Sequence, residues 1–200
     1  MRFTAVVAIL LLALVCHSAH AGRSWNDGDF KLWSYDAGEW IRVDDSWSLK
    51  VVRVADGIGK SQATPFVPQV LDIAQMSQLM RYGALFGFKS NHYRPLTPPS
   101  INPVWCVPRN ITGDVHTWSK NTLLCNGHPE DPANNYRFKF VKPSGFAGGD
   151  ILEEGYPVHI YDILLGKFCS SWIWPSNNAA LMCNAATPFS SSRRFYFHWA

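Results

Sequence analysis

The stretches Gly83-Ala84-Leu85-Phe86-Gly87-Phe88 and Gly155-Tyr156-Pro157-Val158-His159-Ile160 decide the fold, because they repeat one pattern at two places in the chain. Each begins with glycine and continues with apolar side chains at alternate positions. Gly28-Asp29-Phe30-Lys31-Leu32 is the same pattern shortened by one residue. An alternation of period two is typical of a β-strand with one buried face. The sequence therefore predicts three copies of one unit, each opened by such a strand.

Three further strand-like segments follow each opening strand, in the same order each time. They span 39–43, 48–54 and 66–73 in the first copy, 104–107, 122–125 and 136–141 in the second, and 167–172, 180–183 and 195–199 in the third. The last strands of the second and third copies both alternate aromatic with polar or basic residues. We therefore predict twelve short strands in units at about 26–75, 80–143 and 150–200.

This arrangement resembles the β-trefoil, in which three four-stranded units surround a pseudo-threefold axis. The resemblance covers 26–200 and implies an all-β fold, with six strands in a short barrel and six in hairpins that cap it. A single domain over 22–200 is expected, and barrel closure leaves no free sheet edge. Two insertions depart from the pattern. The segment 68–81 predicts about two helical turns between the first two units, and the proline-rich segment 92–103 predicts a loop.

Residues 1–21 have the features of a secretory signal. Arg2 supplies the basic start, 5–16 is an apolar run, and Ala19-His20-Ala21 is a small-x-small cleavage site. The run is shorter than the ~20 residues that cross a bilayer, so no membrane span is expected. Of the five cysteines, Cys16 lies in this segment, so the mature chain keeps four. An even number of cysteines in a secreted chain predicts two disulfides.

The four remaining cysteines allow three pairings. Cys106 and Cys169 fall on the second predicted strands of their units, and Cys125 and Cys183 fall on the third. With the repeat in place, the predicted bridges are therefore Cys106–Cys125 and Cys169–Cys183. Disulfides within units are also similar to those of ricin-type lectin domains, but the Gln-x-Trp signature of that family is missing here. Asn110 opens an Asn-Ile-Thr glycosylation acceptor in a predicted loop.

Composition and motifs exclude several classes of function. Eighteen basic residues against 15 acidic ones leave no nucleic-acid footprint. No two histidines and no two cysteines of the mature chain have metal-ligand spacing, so we expect no metal and no cofactor. A Gly-x-Ser-x-Gly nucleophile motif is missing too. The adjacent carboxylates Asp44-Asp45 and Glu153-Glu154 would point apart on strands or turns. The sequence therefore predicts a non-enzymatic protein.

Nine tryptophans are the unusual feature of the composition. Trp47, Trp118 and Trp174 each lie between the second and third strands of a unit, among polar residues. A flat aromatic ring beside hydroxyls and amides is a surface on which sugar rings stack. The predicted ligand site adds these hydrogen-bonding residues: Asp45, Ser46, His116, Ser119, Ser176 and Asn177. In the other interpretation the three rings plug the barrel as an apolar cap.

We expect the remaining strand-associated tryptophans to be core or barrel-rim residues: Trp33, Trp40, Trp105, Trp172 and Trp199. The leading hypothesis is a secreted, lectin-like module whose partner is a glycan or an extracellular protein. A structural component of a matrix, coat or filament is the alternative, with self-association left open. A second alternative is a protease inhibitor similar to the Kunitz-type plant inhibitors, with Arg81 entering a trypsin-like pocket. No cysteine precedes Cys106 in the mature chain to form the bridge expected between the first two units of that family.

Overall fold

The computed structural model describes residues 22–44, 51–71, 73–90, 104–110, 120–125, 135–171, 180–188 and 193–200. Its strands are β1 (Phe30–Ser34), β2 (Glu39–Asp44), β3 (Val51–Ala55), β4 (Phe66–Val70), β5 (Leu85–Ser90), β6 (Val104–Trp105), β7 (Val107–Arg109), β8 (Thr122–Leu124), β9 (Phe138–Val141), β10 (Tyr156–Asp162), β11 (Lys167–Ser171), β12 (Leu181–Ala185) and β13 (Phe195–Trp199). Each predicted strand is present in this set. The second strand of the second unit is divided at Cys106 into β6 and β7.

Six of these strands form a closed antiparallel barrel. Around it they follow the order β1, β13, β10, β9, β5 and β4, and the pairing of Phe30 with Phe66 joins β4 back to β1. Two strands come from each predicted unit, the first and the fourth. Among the described strands, closure joins the two edge strands of the sheet to each other, which protects these edges from pairing with another chain.

The second and third strands of each unit form the hairpins at one end of the barrel. The third strands meet near the axis, where Val51 pairs with Leu124 and Met182 pairs with Thr122. A second, smaller apolar cluster forms there from Val51, Leu124, Ala180 and Met182. Six barrel strands capped by three hairpins is the β-trefoil architecture, so the predicted fold class is confirmed.

Phenylalanine fills the barrel interior. The largest fully buried side chains include Phe30, Phe66, Phe86, Phe88, Phe138, Phe140, Phe195 and Phe197. Phe30 lies at the centre of this cluster, with five other phenylalanine rings at centroid distances between 5.4 and 6.3 Å. Aromatic rings at such distances add packing energy beyond their area of burial.

The repeated glycine has a backbone role in two of the three units. Gly83 and Gly155 have φ angles of +78° and +77°, and a side chain there would be strained. Each precedes the strand that opens its unit, β5 or β10. This left-handed turn is the reason for the glycine at the head of the repeated pattern.

Both predicted disulfides, Cys106–Cys125 and Cys169–Cys183, are present. All four half-cystines are fully buried at the inner face of their hairpins. Cys169 lies directly opposite Cys183 in the β11–β12 pairing. The bridges therefore join the second and third strands of one unit, as the repeat predicts.

The predicted helix in 68–81 is replaced by a strand and a single 3₁₀ turn at Ile73–Gln75. The backbone of this segment pairs with the start of the described chain instead: the Trp25 N–H donates to the Gln78 carbonyl (3.2 Å), and the Met80 N–H donates to the Arg23 carbonyl (3.0 Å). Leu71 is 61% exposed, so the apolar pattern that suggested a helix does not face the core. Within the described ranges, no helix has the length and apolarity of a membrane span.

Candidate functional site

A pair of outward-facing side chains occupies the junction between barrel and hairpin in every unit. The pairs are Trp33 with Trp40, Lys89 with Trp105, and Tyr161 with Phe168. In each case the first member lies on the opening barrel strand and the second on the following hairpin strand. All six side chains are half-buried. The threefold repeat therefore produces three equivalent positions on the barrel exterior.

Strand pairing extends each pair across the barrel into a row. The first row is Trp40, Trp33, Tyr196 and Pro157; the second is Trp105, Lys89 and Val67; the third is Phe168, Tyr161, Lys139 and Leu85. Only the first row consists wholly of aromatic rings and a proline. The rings of Trp33 and Tyr196 lie 5.6 Å apart. This row is a half-exposed aromatic surface held on four paired strands.

Tyr35 and Arg194 border the first row on one side. The Tyr35 side chain is 45% exposed, and its ring lies 5.9 Å from the ring of Tyr196. The guanidinium carbon of Arg194 lies 5.2 Å from the centroid of the Tyr35 ring. This distance is within the range of cation–π attraction, so the aromatic surface ends in a fixed positive charge.

A polar edge made of Lys31, Lys60, Glu154 and His198 borders the first row on the other side. The ring of His198 packs 4.9 Å from that of Trp40, and its Nδ1 lies 2.8 Å from Glu154 Oε1. Lys60 Nζ is also 2.8 Å from Glu154 Oε1, and Lys31 Nζ donates to the Lys60 carbonyl. Partial burial would raise the pKa of Glu154, but hydrogen bonds from Lys60, His198 and the Trp199 N–H outweigh it and hold that pKa below its usual range. Glu154 is therefore ionised at neutral pH.

Flat rings beside charged hydrogen-bonding groups suit a ligand that has both an apolar face and hydroxyl groups. The axial C–H groups of a sugar pack against indole or phenol rings, while its hydroxyls bind neighbouring carboxylate and ammonium groups. Among the described residues, no group of three or more histidine, cysteine or carboxylate side chains could hold a metal ion.

All nine residues of the predicted ligand site lie outside the described residues: Trp47, Trp118, Trp174, Asp45, Ser46, His116, Ser119, Ser176 and Asn177. The described strands that flank these segments are in contact with one another. β8 pairs with both β3 and β12, and Arg53 of β3 forms a bridge with Ala180. The described strand ends on either side of these three segments therefore lie at the same end of the barrel. Asn110, the predicted glycosylation acceptor, is exposed, and its Oδ1 accepts a hydrogen bond from the Asn121 N–H.

Sequence reasoning missed the first row. The sequence predicts Trp33 and Trp40 to be core or barrel-rim residues, but they lie half-buried on the outer face of β1 and β2. The alternation of apolar residues could have predicted this outward position. Trp33 follows the buried Leu32 and Trp40 precedes the buried Ile41, and neighbouring residues of a strand point to opposite faces. Trp199, in contrast, is buried as expected, at 9% exposure. Trp25, which was not singled out, is also buried, with its ring 5.5 Å from that of Phe86.

A family model described as "Domain of unknown function (DUF5888)" matches residues 1–198. The chain belongs to this family. No curated protein matches the sequence. Solved structures, however, resemble this member of the DUF5888 family along most of its length.

The SDF2-like protein from Arabidopsis thaliana superposes with a TM-score of 0.60 at 10% identity, over 88% of this chain and 94% of that one. The designed 3-fold symmetric protein ThreeFoil gives 0.51 at 12% identity, over 87% and 100%. Lysenin in complex with phosphocholine gives 0.53 at 11% identity, over 90% of this chain and 46% of that one, so the chain spans about half the length of lysenin. At these identities the similarity shows the fold alone.

Proposed function

We propose that this protein is a secreted, non-enzymatic binding module of lectin type that recognises carbohydrate. The observation that carries the proposal is the first row, where Trp40, Trp33 and Tyr196 form one half-exposed aromatic surface across three strands. Rings held by strand pairing lose little conformational freedom when a ligand binds, which favours affinity. A stacking surface of this kind fits the apolar face of a sugar ring.

The polar edge supports the same function. Glu154 is ionised and can accept hydrogen bonds from sugar hydroxyls, while Lys31 and Lys60 can donate them. Ligand binding also has a precedent among structures of similar fold, since lysenin has been solved with phosphocholine. The two disulfides support an oxidising, extracellular compartment for the mature chain. Cleavage after Ala21, expected from the sequence, is part of the proposal.

A glycan array probed with the mature chain tests the proposal, with Trp33→Ala as the variant and Tyr161→Ala as the matched control from the third row. We expect Trp33→Ala to weaken binding about tenfold or more, as the loss of an aromatic contact does. Tyr161→Ala should bind as the wild type does. Thermal unfolding of both variants verifies that they are folded. Binding to no glycan, or equal loss in the two variants, contradicts the proposal.

The tryptophans between hairpin strands are a second proposed contact surface. Alanine replacements of Trp47, Trp118 and Trp174 should each weaken glycan binding by about 1–3 kcal/mol with little change in stability. If the rings form an apolar cap instead, the same changes should cost about 3–5 kcal/mol of stability. One melting curve for each variant distinguishes these outcomes.

The protease-inhibitor hypothesis is disfavoured by the backbone around Arg81. Met80 is fully buried, and its carbonyl accepts a hydrogen bond from the Leu152 N–H (2.8 Å). The Tyr82 N–H donates to the Asp150 carbonyl (2.9 Å), and Arg81 itself forms a bridge with Ile151. A reactive segment must enter the protease cleft as an extended chain, and a segment already paired with its own protein is not free to do so.

A further inference from the structure

Two consecutive arginines, Arg193 and Arg194, lie immediately before β13 and beside the first row. Arg194 packs on Tyr35, whose ring contacts Tyr196 of that row. Arg193 Nη1 donates to the carbonyl oxygen and to the Oγ1 of Thr187. The guanidinium group of Arg194 is therefore positioned by the Tyr35 ring, and that of Arg193 by Thr187.

Neither arginine has a carboxylate partner among the described residues. The described ion pairs are Arg53–Asp44, Lys60–Glu154, Arg137–Asp162, Lys142–Asp150 and His198–Glu154. The Nε atoms of Arg193 and Arg194 are both buried, and within the described chain they have no hydrogen-bond partner. A buried N–H without an acceptor is unfavourable, and it is more so on a charged group. Because no carboxylate of the described residues balances either guanidinium group, an incoming anion would supply the missing countercharge.

The environment of His159 is also affected by the positive charge of the two arginines. It lies on β10, one residue beyond the pairing of Val158 with Phe195, and it is only 5% exposed. Its Nδ1 donates to the Arg193 carbonyl at 2.7 Å. Burial, together with the nearby charges of Arg194 and Arg193, lowers the pKa of His159 despite that hydrogen bond. The imidazole is therefore neutral at pH 7, and the positive charge of this patch comes from the two guanidinium groups.

We propose that Arg193 and Arg194 bind a carboxylate or sulfate group of an acidic glycan whose sugar ring stacks on the first row. A guanidinium group presents paired N–H donors in a plane, which match two oxygens of a carboxylate or a sulfate. The position of Arg194 beside Tyr35 places this charge at the border of the aromatic surface. This inference rests on the proposed function and specifies its ligand class.

Isothermal titration of the mature chain with three oligosaccharides tests the inference. The probes are a sulfated heparin hexasaccharide, the carboxylated hexasaccharide of galacturonic acid, and neutral chitohexaose. The variants are Arg193→Gln, Arg194→Gln and Arg194→Lys, with Arg81→Gln as a control that removes the same charge from an exposed position. We expect roughly tenfold weaker binding of one or both acidic probes in the two glutamine variants. Arg81→Gln should bind like the wild type, and Arg194→Lys should be intermediate because it keeps the charge but loses the planar donor pair.

The other outcomes overturn the inference in distinguishable ways. If chitohexaose binds as tightly as the acidic probes and depends on Trp33 but not on the two arginines, the inference fails while the lectin function stands. If none of the three sugars nor any array glycan binds, both fail. If Arg81→Gln weakens binding as much as Arg194→Gln, the attraction is non-specific and the arginine site is wrong. Arginine-dependent binding to phosphatidylserine vesicles without binding to acidic sugars would also overturn it.

Discussion

The first and third rows occupy equivalent places on the barrel, yet they have different chemistry. Trp33 and Trp40 of the first row correspond to Tyr161 and Phe168 of the third. At the next strand, however, the first row continues with Tyr196 and the third with Lys139. The repeat has therefore preserved the position of the row but not its composition. We infer that the three rows are not equivalent ligand sites, and that the aromatic one forms where strands of the first and third units pair.

The interior of the same strands shows the opposite tendency. Phe30, Phe86 and Val158 hold the equivalent inward position in β1, β5 and β10, and all three are fully buried. The last inward position of these strands is a buried polar residue each time: Ser34, Ser90 and Asp162. The Ser34 Oγ accepts from the Ala37 N–H, and Asp162 Oδ1 accepts from the Leu164 and Leu165 N–H groups. These acceptors stabilise the turn into the hairpin. The inward positions of the opening strands therefore keep the same residue character in all three units, in contrast to the rows on the outer face.

The largest effect should come from breaking that interior. Phe30→Ala removes a ring that contacts five other phenylalanines, and we expect it to lower the free energy of unfolding by about 3–5 kcal/mol. Trp33→Ala, three residues later on the outer face, should cost about 1 kcal/mol because the ring is already half-exposed. Urea denaturation of both variants measures the difference. Similar losses would mean that the first row supports the fold more than a ligand.

The sequence predicts the interior well because its signals are local. Period-two alternation located the strands, and matching cysteines located the bridges. The first row depends on the pairing of Trp33 with Tyr196, residues from opposite ends of the chain, and no local pattern encodes such a register. The helix expected in 68–81 failed for a related reason: Arg23 and Trp25 supply backbone hydrogen bonds from a distant segment. The predicted ligand tryptophans lie outside the described residues and stay a prediction.

The third hairpin offers a smaller test of interior equivalence. Cys169 follows Phe168 of the third row and pairs with Cys183. Ile41 has the equivalent position in the first unit, where it pairs with Val54 and no disulfide joins the two strands. The double variant Cys169→Ala/Cys183→Ala should lose about 3 kcal/mol of stability, the value expected for a short closed loop. Cys169→Ile/Cys183→Val should recover part of that loss by packing as the first unit does. Denaturation under non-reducing conditions measures both, and no recovery would contradict the equivalence of the two hairpins.

The smallest effect concerns His159, an outward-facing residue that is nevertheless buried. Its pKa in the folded state is lowered by burial and by Arg194 and Arg193, so it lies below the value of about 6.5 expected for an unfolded chain. Above pH 6.5 the imidazole is neutral in both states, and its contribution to stability is fully present. As the pH falls below 6.5 the unfolded chain takes up a proton first, so the free energy of unfolding decreases until the pH passes the folded-state pKa.

His159→Gln should therefore show a shallower loss of stability between about pH 6.5 and 5, measured as urea midpoints. Arg194→Gln should lie between that variant and the wild type, since it removes one repelling charge but leaves the burial; an unchanged slope in both variants would show that His159 does not titrate differently on folding.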